Sequence, residues 1–201
     1  MGSGLDEARK ILVFDTETTG MVAWKTPDEA ETQPHLVQLG MLLVDTLSWK
    51  ALSRHSCLVQ LPDGVVMDPG ALQAHGIDED HCRTFGIPAR VACELFCATV
   101  RQADLVVAHN LRFDRIVMEA ACQRDGVEID WVSEVPGYCT MESSTPIVRL
   151  PGKKGHKWPT LAEAYAHFTG ETLHGAHDAL VDAEACLAIY QAIREGEPIP
   201  S

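Results

Sequence analysis

Four acids and one histidine stand out by type and spacing. Asp15 and Glu17 are two apart at the end of the apolar run Ile11 to Phe14, and residues i and i+2 of a strand share a face. Two carboxylates side by side repel, so such a pair either shares a proton or takes a cation. An Asp-x-Glu triplet is a weak signal alone, and the chain has a second one at Asp182-Ala-Glu184. What raises the first is its place after a buried strand and before Thr18-Thr-Gly20.

His109-Asn110-Leu-Arg-Phe-Asp114 follows a second short apolar run, Leu105 to Ala108. Asn110 suits the N-cap of the next helix, which puts Asp114 in its first turn, where ligands of open α/β sheets collect. His177 precedes Asp182 by five residues. The chain has three such pairs (His75/Asp80, His109/Asp114, His177/Asp182), where composition predicts roughly 0.6. Five residues span about 500° of helix, so the two side chains meet only if the histidine lies in the loop before the helix. Leu173 to His177 reads as such a loop, Gly175 loosens it, and Asp178 is a good N-cap.

These residues need a scaffold, and the 201 residues suit one domain, placed at 5–195 with flexible ends at 1–4 and 196–201. Apolar runs predict strands at Ile11–Phe14, Leu36–Val44 and Ala51–Leu61, the last two paired antiparallel, and at Leu105–Ala108. Residues 62–90 read as Pro/Gly-rich with short helical pieces. Helical periodicity covers Val91–Val100, Arg112–Gln123, Thr160–Phe168 and Leu180–Ile193. Three early strands followed by alternating helices and strands predict an α/β domain with a mixed sheet and helices on its faces. The seven cysteines form no CxxC, and the Cys93/Cys97 pair lacks partners at zinc-site spacing, so reduced thiols in a cytoplasmic, unsecreted protein are expected. No run is long enough for a membrane span.

The order and context of the three elements resemble the DEDDh (DnaQ-like) 3′–5′ exonucleases of the ribonuclease H-like superfamily, and are similar to the polymerase proofreading-subunit type. Asp15-Thr-Glu-Thr-Thr-Gly-Met21, Ala108-His-Asn-Leu-Arg-Phe-Asp114 and His174-Gly-Ala-His177-Asp-Ala-Leu-Val-Asp182 carry the likeness, over about Lys10 to Ile193. Ala71 to Ile77 looks like the segment that leads to the bound 3′ terminus. The resemblance implies a ribonuclease H-like fold and phosphodiester hydrolysis with two divalent ions, Mg²⁺ with Mn²⁺ as substitute, held by Asp15, Glu17, Asp114 and Asp182. His177 would accept the proton of the attacking water, a task that histidine's near-neutral intrinsic pKa suits. Thr18 and Asn110 would contact the terminal nucleotide, and Met21 and His75 are weaker candidates to pack on it. The implied partner is a DNA 3′ end, single-stranded or overhanging, with RNA trimming or proofreading as alternatives. No polymerase-docking tail is evident. A catalytically inactive binding relative would be expected to have lost a carboxylate, and all four are present.

The net charge of −13 opposes a broadly basic nucleic-acid surface. Two Mg²⁺ on four of those acids would leave about −9. No acid falls between Glu142 and Glu163, where Arg149, Lys153, Lys154 and Lys157 are interleaved with His156 and Trp158. This stretch reads as a flexible strand-guiding loop, with Lys153, Lys154 and Lys157 on phosphates and Trp158 free to stack, or as a solvated loop. Arg112 and Arg115 either add to that patch or lie on the helix surface.

Overall fold

The computed structural model describes residues 8–128 and 134–196. Its core is a five-stranded sheet in the order β3-β2-β1-β4-β5. The strands are β1 (Lys10–Thr18), β2 (Leu36–Asp45), β3 (Lys50–Leu58), β4 (Leu105–Ala108) and β5 (Gly137–Cys139). β1, β2 and β3 form an antiparallel meander, while β4 and β5 run parallel to β1. The mixed sheet and its flanking helices match the expected ribonuclease H-like architecture.

Ile11 to Phe14 are fully buried because both faces of β1 are covered, and alternation assigns them to two cores. Leu12 and Phe14 pack with α3 (Ala89–Val100) and α4 (Leu111–Arg124), where Phe14 meets Phe96 edge to face at 5.0 Å. Ile11 and Val13 face Ala183, Cys186 and Tyr190 of the last helix, Ala179–Glu195. Each of these large side chains contributes roughly 1.5–3 kcal/mol by leaving water. The same alternation turns Asp15 and Glu17 toward the last helix.

The other helices are α1 (Pro69–His75), α2 (Glu79–Phe85), α5 (Thr140–Val148) and α6 (Leu161–Thr169), which makes Ala179–Glu195 α7. α6 begins with a capping box between Thr160 and Glu163, and left-handed Gly170 stops it. Among the described residues, no helix is long and apolar enough to cross a membrane.

Several boundaries differ from the sequence reading. β1 continues through Thr18, because β2 pairs with it past Asp15 and Glu17. β5 and α5 have no counterpart in the reading, since three residues of strand and a helix containing Pro146 leave little periodicity. The expected guiding loop is partly a small hairpin, Pro151–Gly152 against Gly155–His156. Gly196 belongs to α7 as its left-handed C-cap, and the remaining expected flexible ends, 1–4 and 197–201, lie outside the described residues.

Candidate active site

The carboxylates meet at the end of β1. Asp15 and Glu17 project from the strand, Asp114 comes from the first turn of α4, and Asp182 from the first turn of α7. Asp114 is 2% exposed and accepts hydrogen bonds from the Thr16 amide (3.1 Å) and hydroxyl (2.8 Å). Asp182 accepts from the His177 amide at 3.0 Å through Oδ2, while its Oδ1 is buried with no hydrogen-bond partner. Ligand atoms of Glu17, His177 and Asp182 lie within 4.8 Å of one another, the one such group of three or more among the described residues.

Two residues of β2 bring α7 to this spot. Gly40 pairs with Asp15, and a Cβ there would stand 2.2 Å from the carbonyl carbon and oxygen of Ala179. The absent side chain lets the helix start lie directly on the strand. Gln38 pairs with Glu17 and is 6% exposed. Its Oε1 accepts from the Ala179 amide (3.1 Å) and its Nε2 donates to Asp178 (3.2 Å). Asp178 in turn caps α7 by accepting from the amides of Leu180 and Val181.

Packing these acids together perturbs all of them. Burial, then the charges of Asp114, Asp182 and Glu17, holds Asp15 well above the usual carboxylate range. Burial and Asp182 push Glu17 up to about 8. Burial raises Asp114 to about 7 against the opposing bonds from Thr16. Asp182 is raised by burial and partly relieved by His177. Crowded hard oxygen donors, one of them without a partner, fit a divalent cation site.

Only one of the three His/Asp pairs converges. Asp80 faces Arg83 at 3.4 Å on the surface. His109 donates from Nε2 to the Pro159 carbonyl (3.1 Å) and turns Nδ1 to the Thr140 hydroxyl (3.0 Å), away from Asp114. His177 lies in the loop before α7 with a left-handed φ of 68° and meets Asp182 as the geometry requires. Glu184 of the second Asp-x-Glu pairs with Arg54 instead.

A cavity of about 400 Å³ opens beside the carboxylates. Glu17, Thr18, Met21, His75, Phe113 and His177 are among the residues that line it. Met21 is 77% exposed. His75 accepts the Ile77 amide at Nδ1 and so donates from Nε2 to the Thr18 carbonyl at 3.2 Å. The Thr18 hydroxyl donates to the Gly20 carbonyl at 2.7 Å. Asn110 occupies the N-cap position of α4 as expected, but in the left-handed conformation (φ 75°), which Asn tolerates, and its side chain makes no capping bond.

Lys153, Lys154, Lys157 and Trp158 do not line the cavity. Lys157 pairs with Glu163 at 2.6 Å, and Trp158 is 65% exposed. The hairpin is tied toward the site through Pro159 and His109. Sequence reasoning missed Thr16, Gln38 and Phe113. A lone glutamine inside the apolar run Leu36–Val44 was a usable signal for Gln38. Cys97 and Cys122 are buried with their sulfurs 4.0 Å apart, and neighbouring thiols and burial push the Cys122 thiol up, as befits packed, reduced cysteines.

The family model RNase_T, described as Exonuclease, matches residues 12–190. The chain belongs to this exonuclease family. No curated protein sequence matches it significantly. Among solved structures it is similar to E. coli exonuclease I in complex with a dT13 oligonucleotide, at 17% identity and TM-score 0.72. That match covers 90% of this chain and 40% of the other. A zinc-bound E. coli exonuclease I–ssDNA complex matches at 19% identity and TM-score 0.72, over 94% and 41%. The chain thus spans about two fifths of the length of these exonuclease I chains, and at such identity the likeness is one of fold.

Proposed function

We propose that the chain is a divalent-metal-dependent 3′–5′ exonuclease that removes nucleotides from single-stranded DNA ends. The observation that carries this reading is the convergence of Asp15, Glu17, Asp114 and Asp182 on one strand end, with Asp182 Oδ1 buried and unpartnered. The single-stranded DNA and the zinc ion named for E. coli exonuclease I support the choice of substrate and of a metal.

The four carboxylates would hold two divalent ions, Mg²⁺ by the hardness of the donors. When bound, such a pair supplies positive charge on both sides of an in-line displacement at phosphorus. The cavity lined by Thr18, Met21, His75 and Phe113 takes the terminal nucleotide. Asn110, adjacent to α4, is a further contact to it. His177, exposed at the cavity edge and fixed through its own amide to Asp182, accepts the proton of the attacking water. Lys153, Lys154 and Trp158 on the hairpin guide the strand farther from the cut, and Lys157 serves there by exchanging Glu163 for phosphate.

The test uses 5′-labelled DNA and RNA oligonucleotides, single and double stranded, with Mg²⁺, Mn²⁺ or EDTA, and Asp15→Asn as control. The expected result is a ladder shortening from the 3′ end of single-stranded DNA, lost in EDTA and in Asp15→Asn. Cleavage that persists in EDTA, or none on any substrate, overturns the reading. Faster degradation of RNA would replace DNA as the substrate.

A further inference from the structure

The segment joining β1 to β2 is an acidic loop by sequence, yet it is built. Gln33 is 4% exposed; its Oε1 accepts the Ala23 amide (3.0 Å) and its Nε2 donates to the Thr26 carbonyl (2.7 Å). Arg124 of α4 donates to the carbonyls of Ala30, Gln33 and Pro34. What this scaffold holds up is Trp24, which is 41% exposed. Its ring centroid lies 6.4 Å from that of Phe113, and Phe113 lines the active-site cavity with Glu17 and His177. The Arg112 guanidinium sits 5.4 Å from the Trp24 ring centroid. Arg112 is exposed and forms no salt bridge among the described residues, although the chain carries a net charge of −13. An aromatic surface therefore continues outward from the cavity past Phe113, and the Arg112 guanidinium beside it is outside any salt bridge among the described residues, in a groove that Asp28, Glu119 and Glu142 also line.

We propose that Trp24 and Arg112 form a subsite for the second nucleotide from the 3′ end of an unpaired strand. This rests on the exonuclease reading of the adjacent cavity. Trp24 stacks on the base of that nucleotide, a contact open to any base because each presents a π-face. Arg112, held in place by its cation–π contact, meets the phosphate on the 5′ side. A base inside a duplex has both faces covered, so the subsite selects single-stranded ends.

The experiment compares two substrates. Thymidine 5′-(p-nitrophenyl phosphate) has the terminal nucleotide and the scissile ester but nitrophenol where the second nucleotide would be. A thymidine hexanucleotide has both. In Trp24→Ala, kcat/KM for the hexanucleotide is expected to fall roughly 5- to 150-fold through KM, the range for loss of one base–aromatic stack. Trp24→Phe is expected to retain most of it. Arg112→Gln is expected to lower the salt dependence of hexanucleotide binding by about one phosphate contact, and Arg112→Lys to restore it. The ester reports any damage to the cavity itself, and both variants are expected to stay within about twofold of the parent on it. Equal losses on the two substrates, or none on the hexanucleotide, would overturn the subsite. A parent protein that hydrolyses neither substrate would instead overturn the exonuclease reading beneath it.

Discussion

Gly40→Ala isolates how the sheet sets the site. The new Cβ would stand 2.2 Å from both the carbonyl carbon and oxygen of Ala179, and 2.4 Å from the Leu180 nitrogen. Ordinary contact begins at 3.4 Å, so the start of α7 must retreat from β2 by 3.4 − 2.2, about 1.2 Å. The obstacle is backbone, which cannot rotate away. Asp178, His177 and Asp182 are all tied to that turn, so they move with it. Overpacking of this kind costs about 1–3 kcal/mol. At this chain length each kcal/mol lowers Tm by about 2–4 °C, so a fall of about 2–12 °C is expected. The effect on activity is larger, because a misplacement of about 1 Å costs on the order of 100-fold. Differential scanning fluorimetry and single-turnover degradation of a 5′-labelled oligonucleotide measure the two. Gly126→Ala is the control: its φ of +64° strains any side chain, but nothing lies within 4 Å of the new methyl. It is expected to lose stability and keep activity. Activity within about threefold of the parent in Gly40→Ala would refute the claim that β2 places the α7 carboxylate.

Three further outcomes follow from the same geometry. In EDTA, melting temperature is expected to fall as pH rises from about 5 to 8: Glu17 (about 8) and Asp114 (about 7) are raised in the folded state, which then binds more protons than the unfolded chain, so their stabilising contribution is lost as pH climbs through those values; a flat profile would contradict the crowding. At pH 8, Mg²⁺ at about 100 times its dissociation constant is expected to add about 2.7 kcal/mol, or about 5–11 °C, and Asp182→Asn to cut this shift sharply in the same melt. Asp15→Asn, measured without metal at pH 8, is expected to raise Tm by a few degrees (about 1 kcal/mol) while abolishing cleavage, because it removes one member of a repelling buried set.

Most of the candidate site was legible in the sequence because its residues are local signals. Asp15 and Glu17 ride on an apolar strand, and the His177 loop ends at a recognisable N-cap, so alternation and helical rotation sufficed to orient them. Helical rotation requires the histidine to precede the helix, but His75 before α2 and His109 before α4 meet that condition as His177 does, and it is tertiary contacts that leave only His177/Asp182 converged. Long-range pairing was not legible. Nothing local says that Gly40 stands opposite Asp15, that Thr16 satisfies Asp114 across 98 residues, or that Gln38 reaches Ala179 across 141. Asn110 shows the limit of a propensity: the residue favoured as an N-cap is also the one that tolerates φ > 0, and here the second property prevails.

Asp182 shows why burial, charge and chemistry belong to one account. Its two oxygens are divided: Oδ2 holds the His177 amide, and Oδ1 is buried with no partner. A buried carboxylate with a structural role alone would ordinarily have both oxygens satisfied within the protein. Leaving one open costs stability in the metal-free chain but would give a cation a fixed donor. The oxygen already in use keeps His177 in a left-handed backbone conformation that a histidine seldom adopts unaided (φ 68°). A cation on Oδ1 would draw electron density from the same carboxylate that accepts the His177 amide. Cation occupancy and the placement of His177 would therefore be coupled through a single side chain, and that coupling would require α7 to start where Gly40 allows it.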